Sequence, residues 1–178
     1  MSDLIPASEA YPLAPAPDPL RQAFALLAVL FYASLRRSEA VALKWSDIDF
    51  DQGLLTVRHG KGNKERTIPF ASNKALDYLK RWRACIPNND YVFVAVNKGD
   101  HIQEDIPNST ETVRRVCLQS GDFKPHDARR TLITRMLLAG TSLPDAQYTA
   151  GHASGATTMG YAVVKDAKEV KGRIKIDY

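Results

Sequence analysis

"DIDFDQGLLTVRHGKGNKERTIPF", Asp47 to Phe70, is where the texture of this 178-residue chain changes. Residues alternate here instead of recurring at helical spacing, and the run breaks at Gly53 and again at Gly60-Lys61-Gly62-Asn63. Glycine and asparagine tolerate the positive-φ conformations of tight turns, so the stretch reads as strands of a small antiparallel sheet. The sequence on either side is helical. Pro19 opens "PLRQAFALLAVLFYA", and "RRSEAVALKW", from Arg36, reads as a second helix close behind it. Downstream, "NKALDYLKRWRACI" places Leu76, Leu79 and Trp82 near one helical face. "YVFVAV", from Tyr91, is a short apolar strand. "STETVRRVCLQSG" is a helix with Ser109 or Thr110 as cap and Gly121 near its end. "KPHDARRTLITRMLLAG" follows Pro125 into a strong helix closed by Gly140, and "SLPDAQYTAGH" is a shorter one with Ser142 before Pro144. A minor sheet set into a mainly helical chain makes the expected fold class α+β.

The bulk numbers narrow the field without choosing a function. The length suits one domain with a sizeable core. Pro6, Pro12, Pro15 and Pro17 stand among alanines with little to bury, so residues 1–18 read as a tail or linker and 19–178 as the domain. Hydrophobic residues make up 44% and charged residues 25%, as in an ordinary globular domain. "AFALLAVLFYA" is too short to span a bilayer and reads as a buried core helix, and the N-terminus shows no signal-peptide pattern. Cys85 and Cys117 have no paired spacing and no histidine cluster beside them, which suggests free thiols in a reducing cytoplasm. A net charge of +4 permits a polyanionic partner but does not indicate one.

Four short constellations could carry chemistry, and each has a plainer reading. His126 and Arg129 lie three apart in the first turn of a helix, where free N–H groups and the dipole already favour anions. Arg129 and Arg130 could equally be a solvated face. Arg36 and Arg37 sit between an apolar helix and the next one, where a held guanidinium suits bidentate contact with phosphate. Glu39, three residues on, could orient Arg36 or merely form an ordinary intrahelical pair with it. Lys61, flanked by Gly60 and Gly62 on a hairpin tip with Lys64 and Arg66 beyond, could donate a proton or contact DNA backbone. Most turn lysines are simply solvated. Tyr161, delivered by the soft connector "GHASGATTMGY", is a possible nucleophile, although a lone tyrosine is more often a core aromatic.

Taken in order, "SLRRSEAVALKWSDIDF", "GKGNKERTIPF", "HDARR" and "AGHASGATTMGY" closely resemble the boxes of the tyrosine recombinase (phage integrase) family, from about Pro19 onward. The resemblance implies that Arg36 is the first catalytic arginine, Glu39 its acidic support and Lys61 the hairpin lysine. His126 and Arg129 would be the histidine-x-x-arginine pair, His152 the second histidine position and Tyr161 the nucleophile. Arg37, Lys64, Arg66 and Arg130 would contact DNA. No metal and no cofactor are implied. The partner would be double-stranded DNA bound by a homotetramer exchanging residues 162–178, with a monomer in its absence, in a bacterial, archaeal or phage cytoplasm. The same boxes leave open a type IB topoisomerase-like relaxase, or a DNA-binding regulatory module that does not cut alone. Ser34 stands where the family usually has glycine, which would only add a small side chain. Arg37 replaces an aliphatic residue, Ala128 a leucine, and Arg130 a frequent histidine. The helical core-binding domain that family members usually carry ahead of the catalytic unit is not recognisable in the proline-rich start, so an excised or naturally short catalytic domain is expected.

Overall fold

The computed structural model describes residues 18–58, 65–97, 99 and 101–151. Helix α1 (Pro19–Tyr32) begins at Asp18, whose carboxylate accepts a hydrogen bond from the Leu20 amide at 2.8 Å. Asp18, expected to end the tail, is therefore the cap of the first helix. Ala25 to Leu30 are all buried, as the apolar run requires, and Leu26, Val29 and Leu30 are at most 1% exposed. Each such side chain contributes roughly 1.5–3 kcal/mol of burial. α1 packs against α3 (Asn73–Arg83) and α5 (Pro125–Leu138). From α3 the predicted stripe Leu76, Leu79 and Trp82 enters the core, and Trp82 donates its indole N–H to the Val92 carbonyl at 2.6 Å.

The second helix is much shorter than "RRSEAVALKW" suggests. α2 spans only Arg37–Val41, with Arg36 as its N-cap, and the chain then extends so that Lys44 bridges Tyr91. A single 3₁₀ turn, Trp45–Asp47, leads into the sheet. Backbone bonds between Leu43 and Val92 and between Trp45 and Asp90 take residues 43–45 out of any helix.

The Asp47–Phe70 stretch does form an antiparallel sheet, in the order β1 (Ile48–Asp49), β2 (Leu54–Val57), β3 (Arg66–Pro69). Leu55 lies opposite Ile68, and Val57 opposite Arg66. These four residues are buried, whereas Thr56 and Thr67 pair hydroxyls at 3.1 Å on the outer face. A second ribbon pairs β4 (Val94–Val96) with β5 (Ile102–Pro107), a strand the sequence reading missed. The buried Gln22 of α1 accepts from the Val94 amide at 2.7 Å, satisfying the start of β4. α4 (Thr110–Gly121), capped by Ser109, and α6 (Leu143–Ala150), capped by Ser142, complete the described elements. Cys85 and Cys117 are buried free thiols, and burial pushes the Cys117 thiol up to about 11. No helix among the described residues is long and apolar enough to cross a membrane. The architecture is α+β, with α6 lying against both α5 and β3.

Candidate active site

Arg36 owes its position to the break between α1 and α2. As the N-cap of α2 its backbone is extended, and its amide donates to Glu39 Oε2 at 2.8 Å. This is the carboxylate half of a capping box, which turns Glu39 back towards the start of its own helix. Arg36 Nη1 then donates to Glu39 Oε1 at 2.7 Å, and Nη2 to the Gly151 carbonyl at 2.8 Å. Pairing with Glu39 is thus an end-of-helix bond and not a side-by-side pair on a helix surface. The Arg36 side chain is 27% exposed, against 2% for Glu39.

Arg129 reaches the same place from α5. Pro125 opens that helix, and the Lys124 amide donates to Asp127 at 2.9 Å to close its first turn. Ala128, Leu132 and Ile133 are buried, so Arg129 is drawn inward with them and is 2% exposed. Its Nη1 donates to the Ser34 carbonyl at 2.5 Å, and its Nη2 bonds the Ala150 carbonyl. Ala150 and Gly151 are the last residue and the C-cap of α6, so both guanidiniums are held by adjacent carbonyls at one helix C-terminus. The negative end of the helix dipole favours cations there.

Ser34 corrects an expectation. It does more than add a small side chain, because it sits at φ +54°, in the left-handed region that glycine occupies freely. It is fully buried, and its hydroxyl has no hydrogen-bond partner among the described residues. That conformation turns the chain sharply out of α1 and aims the Ser34 carbonyl at Arg129.

Arg66 is a second correction. Expected on the DNA-facing surface, it lies on the inward face of β3 with Ile68 and is 7% exposed at the side chain. Its Nη1 and Nη2 donate to the two oxygens of Glu39, both at 3.0 Å. The strand's period of two accounts for this, since Arg66 and Ile68 must share a face. Burial pushes the Glu39 carboxyl up, but the Arg66 hydrogen bonds, the Arg36 amide and the charges around it outweigh this and hold it below its ordinary value. Gly151 completes the cluster at φ +58°, and a Cβ there would fall 2.7 Å from Arg66 Cζ. Only glycine fits beside that guanidinium.

His126 and Arg130 are exposed on α5, one on each side of the buried Arg129 in sequence, and Arg37 is exposed in the first turn of α2. Lys61, Lys64, His152 and Tyr161 lie outside the described residues, as does the 162–178 segment. The described cluster therefore joins Arg36, Glu39, Arg66 and Arg129 at the end of α6, one residue before His152.

Described residues from each of the four boxes thus meet in a single structure, and a comparison of the whole sequence agrees with them. Residues 2–168 match the phage integrase family. The chain belongs to this family. It is 35% identical over 156 residues to the tyrosine recombinase XerA of Pyrococcus furiosus, covering 84% of this chain and 53% of that protein. The tyrosine recombinase XerC of Xanthomonas axonopodis pv. citri is 32% identical over 164 residues, covering 85% and 52%. The chain spans about half the length of these relatives. The crystal structure of a XerA recombinase superposes with a TM-score of 0.71 at 27% identity, covering 88% of this chain and 60% of that one. The fold is therefore that of the phage integrase catalytic domain, and the chain is a tyrosine recombinase by family.

Proposed function

We propose that this chain is the catalytic unit of a site-specific DNA recombinase of the integrase type, acting on double-stranded DNA in the cytoplasm without metal or ATP. The observation that carries this reading is the attachment of Arg36 and Arg129 to neighbouring carbonyls at the end of α6, immediately before His152. The cluster holds three guanidiniums, Arg36, Arg66 and Arg129, and one carboxylate, Glu39, which Arg36 and Arg66 bond, so two positive charges are in excess within it. A phosphodiester anion attacked by a phenolate passes through a dianionic phosphorane, so this excess matches the charge that must be neutralised.

In this reading Tyr161 attacks the scissile phosphorus, a Tyr Oη–P bond forms and the P–O5′ bond breaks. The 3′-phosphotyrosyl link keeps the phosphodiester energy, so a 5′-hydroxyl can later reverse the step without ATP. Arg36 and Arg129 hold the non-bridging oxygens, and losing one such positioned donor costs roughly 3–4 kcal/mol in barrier. His126 and His152 add hydrogen bonds and help manage the single phenolic proton, and Lys61 gives a proton to the departing O5′. Arg37, Lys64 and Arg130 contact the DNA backbone. Residues 162–178 dock on a neighbouring subunit of a DNA-bound tetramer.

The test is to incubate the chain with a library of nicked duplexes containing a randomised segment. Denaturant-resistant protein–DNA adducts are isolated and their DNA is sequenced. Adducts enriched in one site, and absent with Tyr161→Phe, are the expected result. Adducts that persist with Tyr161→Phe would refute the nucleophile, and retention of DNA without any adduct would replace cutting with binding alone.

A further inference from the structure

The hydrogen bonds to Glu39 form one closed ring, which leaves the buried Arg66 Nε without a partner among the described residues. Oε1 accepts from Arg36 Nη1 and Arg66 Nη1, and Oε2 accepts from the Arg36 amide and Arg66 Nη2. The other end of Arg36 donates to the Gly151 carbonyl, and the Arg66 guanidinium packs against the Gly151 Cα on the opposite side. The two arginines differ in one respect. Arg36 is 27% exposed and Arg66 is 7% exposed, so the first faces outward and the second stands behind it.

We infer that Arg66 is a positioning residue, which fixes the Glu39 carboxylate and through it the phosphate-holding guanidinium of Arg36. Arg36 alone holds the carboxylate by one side-chain bond and one amide bond, which leaves its plane free to rock. The fork of Arg66 adds a bond to each oxygen and sets that plane, a task for which a planar guanidinium is shaped and an ammonium is not. Arg66 itself is held by β3, where its inward register is shared with Ile68, and by contact with Gly151. Contact with a DNA backbone would require it to leave both oxygens of a buried carboxylate. The inference rests on the reading of Arg36 as a phosphate ligand, but the geometry of Arg36 can be read without DNA.

The experiment compares wild type, Arg66→Lys and Arg66→Met, each also combined with Glu39→Gln, in the full chain. On a saturating nicked duplex selected as above, Arg66→Lys and Arg66→Met should form the phosphotyrosyl adduct up to about 100-fold more slowly, the effect of a misplacement of about 1 Å. Duplex affinity should stay within about twofold of wild type, because a residue behind the site makes no backbone contact. In the Glu39→Gln background the same changes should slow the reaction little further, since the path runs through that carboxylate. The second arm uses arginine labelled with ¹⁵N, the Arg36 signal being assigned with Arg36→Lys. Wild type should show separate, slowly rotating Arg36 Nη protons, and Arg66→Lys should average them. Should Arg66→Met fail to fold, Arg66→Lys carries both arms. A wild-type rate with only a lower melting temperature would overturn the inference in favour of a purely structural pair. Weakened duplex binding at an unchanged saturated rate would overturn it in favour of a DNA contact. If wild type forms no adduct, the recombinase reading fails, and the Arg36 signals alone decide whether Arg66 holds that guanidinium.

Discussion

Replacing Ser34 with glycine should stabilise this protein, and the structure allows the gain to be built from its parts. Ser34 occupies φ +54°, where a side chain costs roughly 1–2 kcal/mol relative to the right-handed region. Its hydroxyl is buried without a partner among the described residues, which costs about 1–3 kcal/mol. Glycine removes both penalties but gives back roughly 0.5–1 kcal/mol through its freer unfolded chain. The net expectation is a gain of about 1–4.5 kcal/mol, or a melting temperature higher by roughly 2–18 °C for a chain of this size. Ser34→Ala is the internal control. It deletes the hydroxyl but keeps a Cβ in the left-handed region, so its gain should be smaller than that of glycine. Thermal melts followed by circular dichroism, with urea titrations at 25 °C, measure both variants. A Ser34→Gly protein that melts at or below the wild-type temperature would refute the assignment of strain to this turn. The Ser34 carbonyl, which binds Arg129, survives both substitutions, so neither should disturb the site.

Two further outcomes follow from the same cluster. Glu39→Gln leaves the Arg36 and Arg66 guanidiniums facing each other without a buried countercharge, and should lower stability near pH 7 by roughly 3–5 kcal/mol. Because the folded state holds the Glu39 carboxyl below its ordinary value, this contribution is present above the unfolded carboxyl value of about 4.3 and fades as pH falls through the lower folded one. Urea midpoints of wild type and Glu39→Gln should therefore converge below about pH 4, and a constant gap down to pH 2.5 would contradict the assignment. Gly151→Ala forces a side chain into φ +58° and drives its Cβ to within 2.7 Å of Arg66 Cζ. It should cost about 2–4 kcal/mol by urea titration, and a loss below about 0.5 kcal/mol would show that Arg66 does not pack there.

The elements were legible in the sequence wherever one period dominated. The apolar run of α1, the Leu76–Leu79–Trp82 stripe of α3 and the Pro125 start of α5 are local patterns, and each holds. β5 was missed because Ile102–Pro107 is exposed over much of its length and carries acidic residues, leaving no alternation to read. α2 was overextended because "RRSEAVALKW" has a helical composition. Leu43 and Trp45 instead bond the distant residues Val92 and Asp90, a tertiary effect no local period encodes. At the site, Arg36, Glu39 and Arg129 could be chosen from residue type and order. The role of Arg66 had a signal that was passed over, since strand alternation from Ile68 already places it inward. On α6 the buried side is carried by Ala146, Thr149 and Ala150, and Tyr148 is 56% exposed.

The cluster also explains why its cations are arginines. Two of its guanidiniums answer to two partners in different directions, Arg36 to Glu39 and the Gly151 carbonyl, and Arg129 to the Ser34 and Ala150 carbonyls, while Arg66 gives both Nη groups to Glu39. A lysine carries its three donors on one nitrogen and lacks the spaced, planar fork that meets both partners of each pair in a fixed orientation. The fork sets the orientation of the charge as well as its location, so the protein itself fixes the planes of Arg36 and Arg129, as the proposed contact with phosphate requires. Preorganised donors cost no reorganisation at the moment charge develops, which is where most of their catalytic benefit arises. The end of α6 is the common anchor of both planes. A shift of that one helix terminus would therefore move both arginines together.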